Sequence, residues 1–127
     1  MTVIQQLNKI LQGLLTNPIV AEYDTDGWHV VKCANGRCTA TKDTTVNPTT
    51  NGSVIGSTYA GNAGTPPPSG VFTEFKRVWV STTFGNGVWV EPYRITSETI
   101  LIAVLRGAAL STTWDIPVSI KVEGSWK

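Results

Sequence analysis

Trp28-His29-Val30-Val31-Lys32-Cys33-Ala34-Asn35-Gly36-Arg37-Cys38-Thr39-Ala40-Thr41 is the stretch on which the fold turns. Two runs rich in β-branched and aromatic residues flank an Asn-Gly pair, and both turn residues tolerate the positive φ of a tight type I′ turn. The segment predicts a β-hairpin with its turn at residues 35 and 36. A two-residue turn sets Cys33 opposite Cys38 as a non-hydrogen-bonded pair with Cα atoms about 4.5 Å apart, the short end of disulfide geometry. A bridge closing so small a loop adds little loop entropy, and a reducing cytosol opposes it. A possible disulfide and a pair of packed thiols both stay open. His29 is the single histidine, so no metal site is expected.

Downstream, Phe72 to Thr82 reads as one strand, Phe84-Gly85-Asn86-Gly87 as a turn, and Val88 to Ile95 as a strand interrupted by Pro92. Proline there argues for an edge position or a bulge, because it cannot donate to a ladder. Residues 99 to 105 are apolar on both alternating faces, as in a strand covered on both sides. One face meets the core, and Leu101, Ala103 and Leu105 are expected at a trimer interface. Ile116 to Glu123 alternates apolar with polar, a half-buried strand. Residues 43–70 are dominated by Thr, Asn, Gly, Ser and Pro and read as a long loop, functional or pinned to a neighbour. Val54-Ile55 and Thr58-Tyr59 make a short strand within it. The sum is an all-β chain, an antiparallel β-sandwich of about six to eight strands.

Upstream, residues 2 to 15 read as a short helix with Ile4, Leu7, Leu11 and Leu14 at heptad spacing, widened by Val3 and Ile10. Asn17-Pro18 ends it. Two heptads are too short to stand alone in water. The stripe is therefore either a seam between subunits or a face folded back on its own core. Residues 1–18 form the helix and possible trimerisation segment, and 19–127 the sandwich.

The 127 residues suit one domain. Only 15% are charged, against about 25% in an average soluble domain, so much of the surface is neutral or apolar and favours self-association. Net charge is +1 with ten scattered Lys and Arg, which gives no phosphate-backbone footprint and argues against nucleic acid. No apolar run approaches the roughly 20 residues of a membrane span, and no signal peptide opens the chain. A protein made in the cytoplasm and not inserted in a membrane is expected.

Trp28, then Lys32, then Asn35-Gly36 resembles the Trp-x-x-x-Lys hairpin of tail-fibre and minor structural proteins from phages and prophages of Gram-positive bacteria. Phe72 and Phe75 ahead of Val78 and Val80, with a closing Gly124-Ser125-Trp126-Lys127, are similar to the C-terminal domain of that family. The resemblance touches residues 28–42 and 71–127. It implies a homotrimeric β-sandwich, related in outline to H-type lectins, carried on a virion and attached to host-surface glycans. Other virion proteins and a host polysaccharide are the implied partners. The chain departs from the pattern at Cys33, where a second tryptophan is common, and at Lys76-Arg77, where a proline often precedes the strand. No sugar-binding motif of the family matches position by position, so the resemblance supplies architecture and role but no site.

No enzyme and no cofactor are expected. Glycoside hydrolysis needs two carboxylates about 5 to 9 Å apart across a sugar, yet among Asp24, Asp26, Glu91, Glu98 and Asp115 the only close pair flanks a turn, where Asp caps local backbone groups. One histidine and no Gly-x-Ser-x-Gly elbow leave no nucleophile triad. Trp28 and Trp79 read as core. Asn86, Trp89, Tyr93 and Arg94 surround the proline-interrupted strand, where aromatics stack on a sugar while Arg and Asn supply hydrogen bonds. The same residues equally suit packing between subunits. A trimeric host-recognition module, a structural virion part without a ligand, and a free-standing lectin are the functional expectations.

Overall fold

The computed structural model describes residues 2–48, 53–55, 58–85, 87–107 and 115–127, the side chains of 13–16, 53–55 and 58 excepted. They form one helix, α1 (Val3–Thr16), and nine strands: β1 (Ile19–Thr25), β2 (Trp28–Cys33), β3 (Arg37–Val46), β4 (Ser53–Ile55), β5 (Thr58–Thr65), β6 (Glu74–Thr82), β7 (Val88–Ile95), β8 (Ile100–Arg106) and β9 (Ile116–Ser125). One sheet has the order β1-β2-β3-β9-β6 and the other β4-β5-β8-β7. Every pairing is antiparallel. Inward residues of both sheets make one core: Trp28, Val30, Cys38 and Ala40 with Ile116, Val118, Ile120 and Val122 from the first, Ile100, Ile102 and Val104 from the second. An all-β sandwich follows from that shared core.

The strand count exceeds the expectation because two segments pair that read as connections. Asp26 and Gly27 both take positive φ, at 53° and 81°, so β1 and β2 join through a two-residue turn of the I′ kind with Thr25 opposite Trp28. The stretch expected as a loop over 43–70 is largely strand. β3 runs on to Val46, and β5 pairs with β8 from Tyr59 to Thr65. Small residues such as Ala60, Gly61, Ala63 and Gly64 weaken the period-two signal, yet they let β5 lie flat beside the bulkier β8. Pro66, Pro67 and Pro68 then cross between the sheets, with Pro67 and Pro68 buried. The indole N–H of Trp28 donates to the Pro66 carbonyl at 3.2 Å, so this ring enters the core with its polar atom satisfied.

The β2–β3 hairpin forms, with a different turn. Lys32, not Cys33, stands opposite Cys38, which leaves a three-residue loop of Ala34, Asn35 and Gly36. Gly36 takes φ 93° and its N–H donates to the Cys33 carbonyl at 3.0 Å, a type I turn closed by a left-handed glycine. Adding one residue to the loop puts the cysteines on opposite faces. Cys38 is buried, Cys33 is half-buried, and both are free thiols. Burial pushes the Cys38 thiol pKa above its ordinary value.

Helix α1 opens with a capping box: Thr2 Oγ1 accepts from the Gln5 N–H at 3.2 Å, and Gln5 Oε1 accepts from the Thr2 N–H at 2.9 Å. Val3, Ile4, Leu7, Ile10 and Leu11 are each more than half exposed. The stripe thus does not fold back on its own core. The side chain of Leu14 lies outside the described residues. No helix among the described residues is long and apolar enough to cross a membrane.

Candidate functional site

The segments that carry the family resemblance meet in space. Trp126 pairs its backbone N–H with the Gly36 carbonyl at 3.0 Å and its indole N–H with the Cys33 carbonyl at 2.8 Å. Lys127 Nζ donates to the Ala34 carbonyl at 2.6 Å. Lys32 lies over the Trp126 ring, 5.4 Å from its centroid. The C-terminal Gly-Ser-Trp-Lys therefore locks the hairpin turn, and these side chains serve the fold.

The four residues expected to bind ligand are not brought together. Asn86 lies outside the described residues. Trp89 sits on the outer face of the second sheet opposite Leu105, in the row that also carries Ala103 and Leu101, and is 55% exposed. Tyr93 and Arg94 stand four and five residues further along β7, roughly 13 to 17 Å at strand rise. Trp89 and, past the bulge, Arg94 stand in the outer row of β8, opposite Leu105 and Leu101, while Tyr93, the inserted residue, has a second place.

That second place is a cleft between β6 and β7, the adjacent edge strands of the two sheets. It encloses about 220 Å³ and is lined by Phe75, Lys76, Arg77 and Val78 from β6 and by Pro92, Tyr93, Arg94 and Ile95 from β7. Both strands carry a β-bulge there. The β6 register steps from Phe75 to Arg77 against β9, and the β7 register steps from Pro92 to Arg94 against β8. In a regular strand, consecutive side chains point to opposite faces. Each bulge inserts one unpaired residue, Lys76 in β6 and Tyr93 in β7, while Arg77 keeps the outer face of the first sheet opposite Glu123 and Arg94 the outer face of the second opposite Leu101. Pro92, expected at an edge or a bulge, sits at both.

Lys76, Arg77 and Arg94 are exposed, and among the described residues none has an ion pair or a side-chain hydrogen bond. No carboxylate lines the cleft. Glu123, opposite Arg77 across the strands, accepts instead from Arg37 Nη2 at 3.4 Å. Tyr93 is 62% exposed. The lining therefore includes one exposed aromatic and three cations without an ion pair among the described residues. Sequence reading finds Tyr93 and Arg94 and misses Lys76 and Arg77. Their signal is two successive charged residues between Phe75 and Val78, which breaks the alternation of the strand.

Trp79 is a correction. It was expected in the core and is 43% exposed, because Val78 and Val80 take the inward positions. It lies on the outer face of the first sheet under Lys121, whose Nζ is 5.2 Å from the ring centroid. A shallow cleft of about 430 Å³ on that sheet is lined by Asp24, Gly27, His29, Thr41, Lys42 and Asp43. Its charged groups already have partners. His29 bonds Asp24 Oδ1 at 2.7 Å and Glu22 Oε1 at 2.8 Å, and Asp43 Oδ1 accepts from Ser119 Oγ at 2.7 Å. The two carboxylates raise the His29 pKa, the hydrogen bond to Asp24 most. Groups already satisfied recruit a ligand less well than unpaired ones, so the β6–β7 cleft is the stronger candidate. Comparison with protein-family models, curated proteins and solved structures finds no match to this chain.

Proposed function

We propose that this chain is a host-attachment module of a bacteriophage virion, acting as a homotrimer that binds a cell-surface glycan without chemical change. Tyr93 carries the reading: an exposed ring at a bulge, on the edge of a two-sheet frame, in a cleft whose lining also includes Lys76, Arg77 and Arg94. A ring in that setting suits the apolar face of a sugar, and the cations suit its oxygens. One stacked ring contributes only about 1 kcal/mol, so single-site affinity is expected near millimolar, about 4 kcal/mol. Three copies on a repetitive surface convert that into useful avidity. The family resemblance of the hairpin and of the C-terminal segment supplies the virion context.

A purely structural virion role is the second reading, favoured by the outer strip of Trp89, Leu101 and Leu105, which suits subunit packing. A glycan array probed with the intact protein separates the two. Retention by the parent and loss in Tyr93→Ala, with unchanged mass by light scattering, is the expected result. An array and a panel of bacterial cells that retain none of the parent protein would leave the structural role.

A further inference from the structure

We infer that Asn35 is a site of spontaneous deamidation to isoaspartate, gated by Trp126 and Lys127, which hold shut the turn in which it stands. The inference is independent of the glycan reading. Three observations carry it. Asn35 is exposed and precedes Gly36, which has no Cβ to keep its backbone nitrogen away from the Asn35 carboxamide carbon. Asn35 Oδ1 already accepts from the Arg37 N–H at 3.0 Å, and a donor on that oxygen stabilises the negative charge it gains when the carboxamide is attacked. The attacking nitrogen, by contrast, is occupied, because the Gly36 N–H donates to the Cys33 carbonyl at 3.0 Å.

The step needs no reactant but water. The Gly36 nitrogen loses its proton and bonds to Asn35 Cγ, the bond from Cγ to Nδ2 breaks, and Nδ2 leaves as ammonia, giving a cyclic imide. Water then opens the imide at one of its two carbonyls. Opening at the main-chain carbonyl leaves isoaspartate, and opening at Cγ leaves aspartate. Isoaspartate carries the main chain through Cγ and lengthens it by one carbon, so the tight loop that Gly36 closes at φ 93° is lost. Before attack the Gly36 N–H must leave the Cys33 carbonyl, and the turn is held on both sides of Asn35. The Trp126 indole donates to the Cys33 carbonyl at 2.8 Å, the Trp126 backbone N–H to the Gly36 carbonyl at 3.0 Å, and Lys127 Nζ to the Ala34 carbonyl at 2.6 Å. Conversion therefore follows the population in which this local structure is open.

The test incubates the intact protein at neutral pH and follows the peptide that holds Asn35 by mass spectrometry, which also separates it from the other Asn-Gly pairs, at Asn51 and Asn86. Labelling by an isoaspartyl methyltransferase reads the isoaspartate. Trp126→Phe keeps a ring and loses the indole N–H, and Lys127→Met keeps an apolar stem and loses the ammonium. Each should speed conversion at Asn35 roughly five- to tenfold over the parent, the opening gained when one hydrogen bond is lost, with unchanged far-ultraviolet circular dichroism. The parent unfolded in urea should convert faster than any folded form. The converted protein, separated by ion exchange on its added negative charge, should have a lower urea midpoint than the unconverted. Equal rates in the parent and both variants overturn the inference, since nothing would then gate the site. Asn35 intact in every folded form while the unfolded chain converts overturns it as well. Aspartate without isoaspartate would mean direct hydrolysis and overturn the imide step.

Discussion

Gly124 has no room for a side chain. A Cβ there would collide with the backbone carbonyl oxygen of Glu74 and lie 2.9 Å from Phe72 Cδ1, and neither is the free end of a flexible chain. The carbonyl belongs to β6, which is paired with β9 at this level, so it cannot yield without breaking the ladder. Gly124→Ala is expected to lower the unfolding free energy by about 3 kcal/mol, the upper range for overpacking. An unchanged urea midpoint would show that β6 and β9 do not approach as described. His29 gives a second prediction at this scale. Its two ring nitrogens face two carboxylates, so both bonds are made only when the imidazole is doubly protonated. The folded pKa is raised above the ordinary 6.5. The stabilisation is therefore complete below the unfolded pKa and is lost as pH rises through the folded one. His29→Gln should flatten the fall in urea midpoint between about pH 6 and 8 that the parent shows on this account. Identical pH profiles for parent and variant would mean that the ion pairs do not form in solution.

Among the elements, α1 and β7 carry the open interactions. The helix is capped and amphipathic, but its apolar stripe meets water in the single chain, a cost that packing against another copy removes. Its 14 residues are at the limit of stability for an isolated helix. On the proposal that α1 is the seam of a trimer, Leu7→Asp or Leu11→Asp should dissociate it toward the 13.7 kDa single chain by placing a charge in an apolar seam, while the sandwich keeps its near-ultraviolet signal. Sedimentation that finds parent and variants the same size would remove the helix from the interface. In β7, Trp89 stands opposite Leu105 at one end, and Tyr93, inserted by the bulge, lines the cleft with β6 towards the other.

For the molecule as a whole, that division separates assembly from recognition. Trp89→Ala should loosen the oligomer, because the ring extends the strip of Leu101, Ala103 and Leu105. Tyr93→Ala should keep its size and lose attachment. Light scattering alongside adsorption to bacterial cells reads both. A parent protein that scatters as a single chain at micromolar concentration would end the trimer proposal, and equal adsorption by both variants would move the site off β7.

Local chemistry by itself determined the elements whose signals are complete within a few residues. The Thr2 to Gln5 cap and the heptad stripe define α1, the Val78 and Val80 alternation with the Ile116 to Val122 alternation defines two strands, and Pro92 marks an edge. The same alternation also held the signal that reading Trp79 as core overlooks, since Val78 and Val80 claim the inward face. Asp26-Gly27 likewise carried the signal for β1. Only the tertiary structure decided the rest. The hairpin register depends on whether two or three residues enter the turn, a choice fixed here by Trp126 and Lys127 binding the turn carbonyls from the far end of the chain. The role of β5 depends on β8 supplying a partner for its small residues. The cleft exists because two bulges, 17 residues apart by number between Lys76 and Tyr93, fall at one level on neighbouring edges. Residues that far apart along a chain line one cleft only once two sheets have packed.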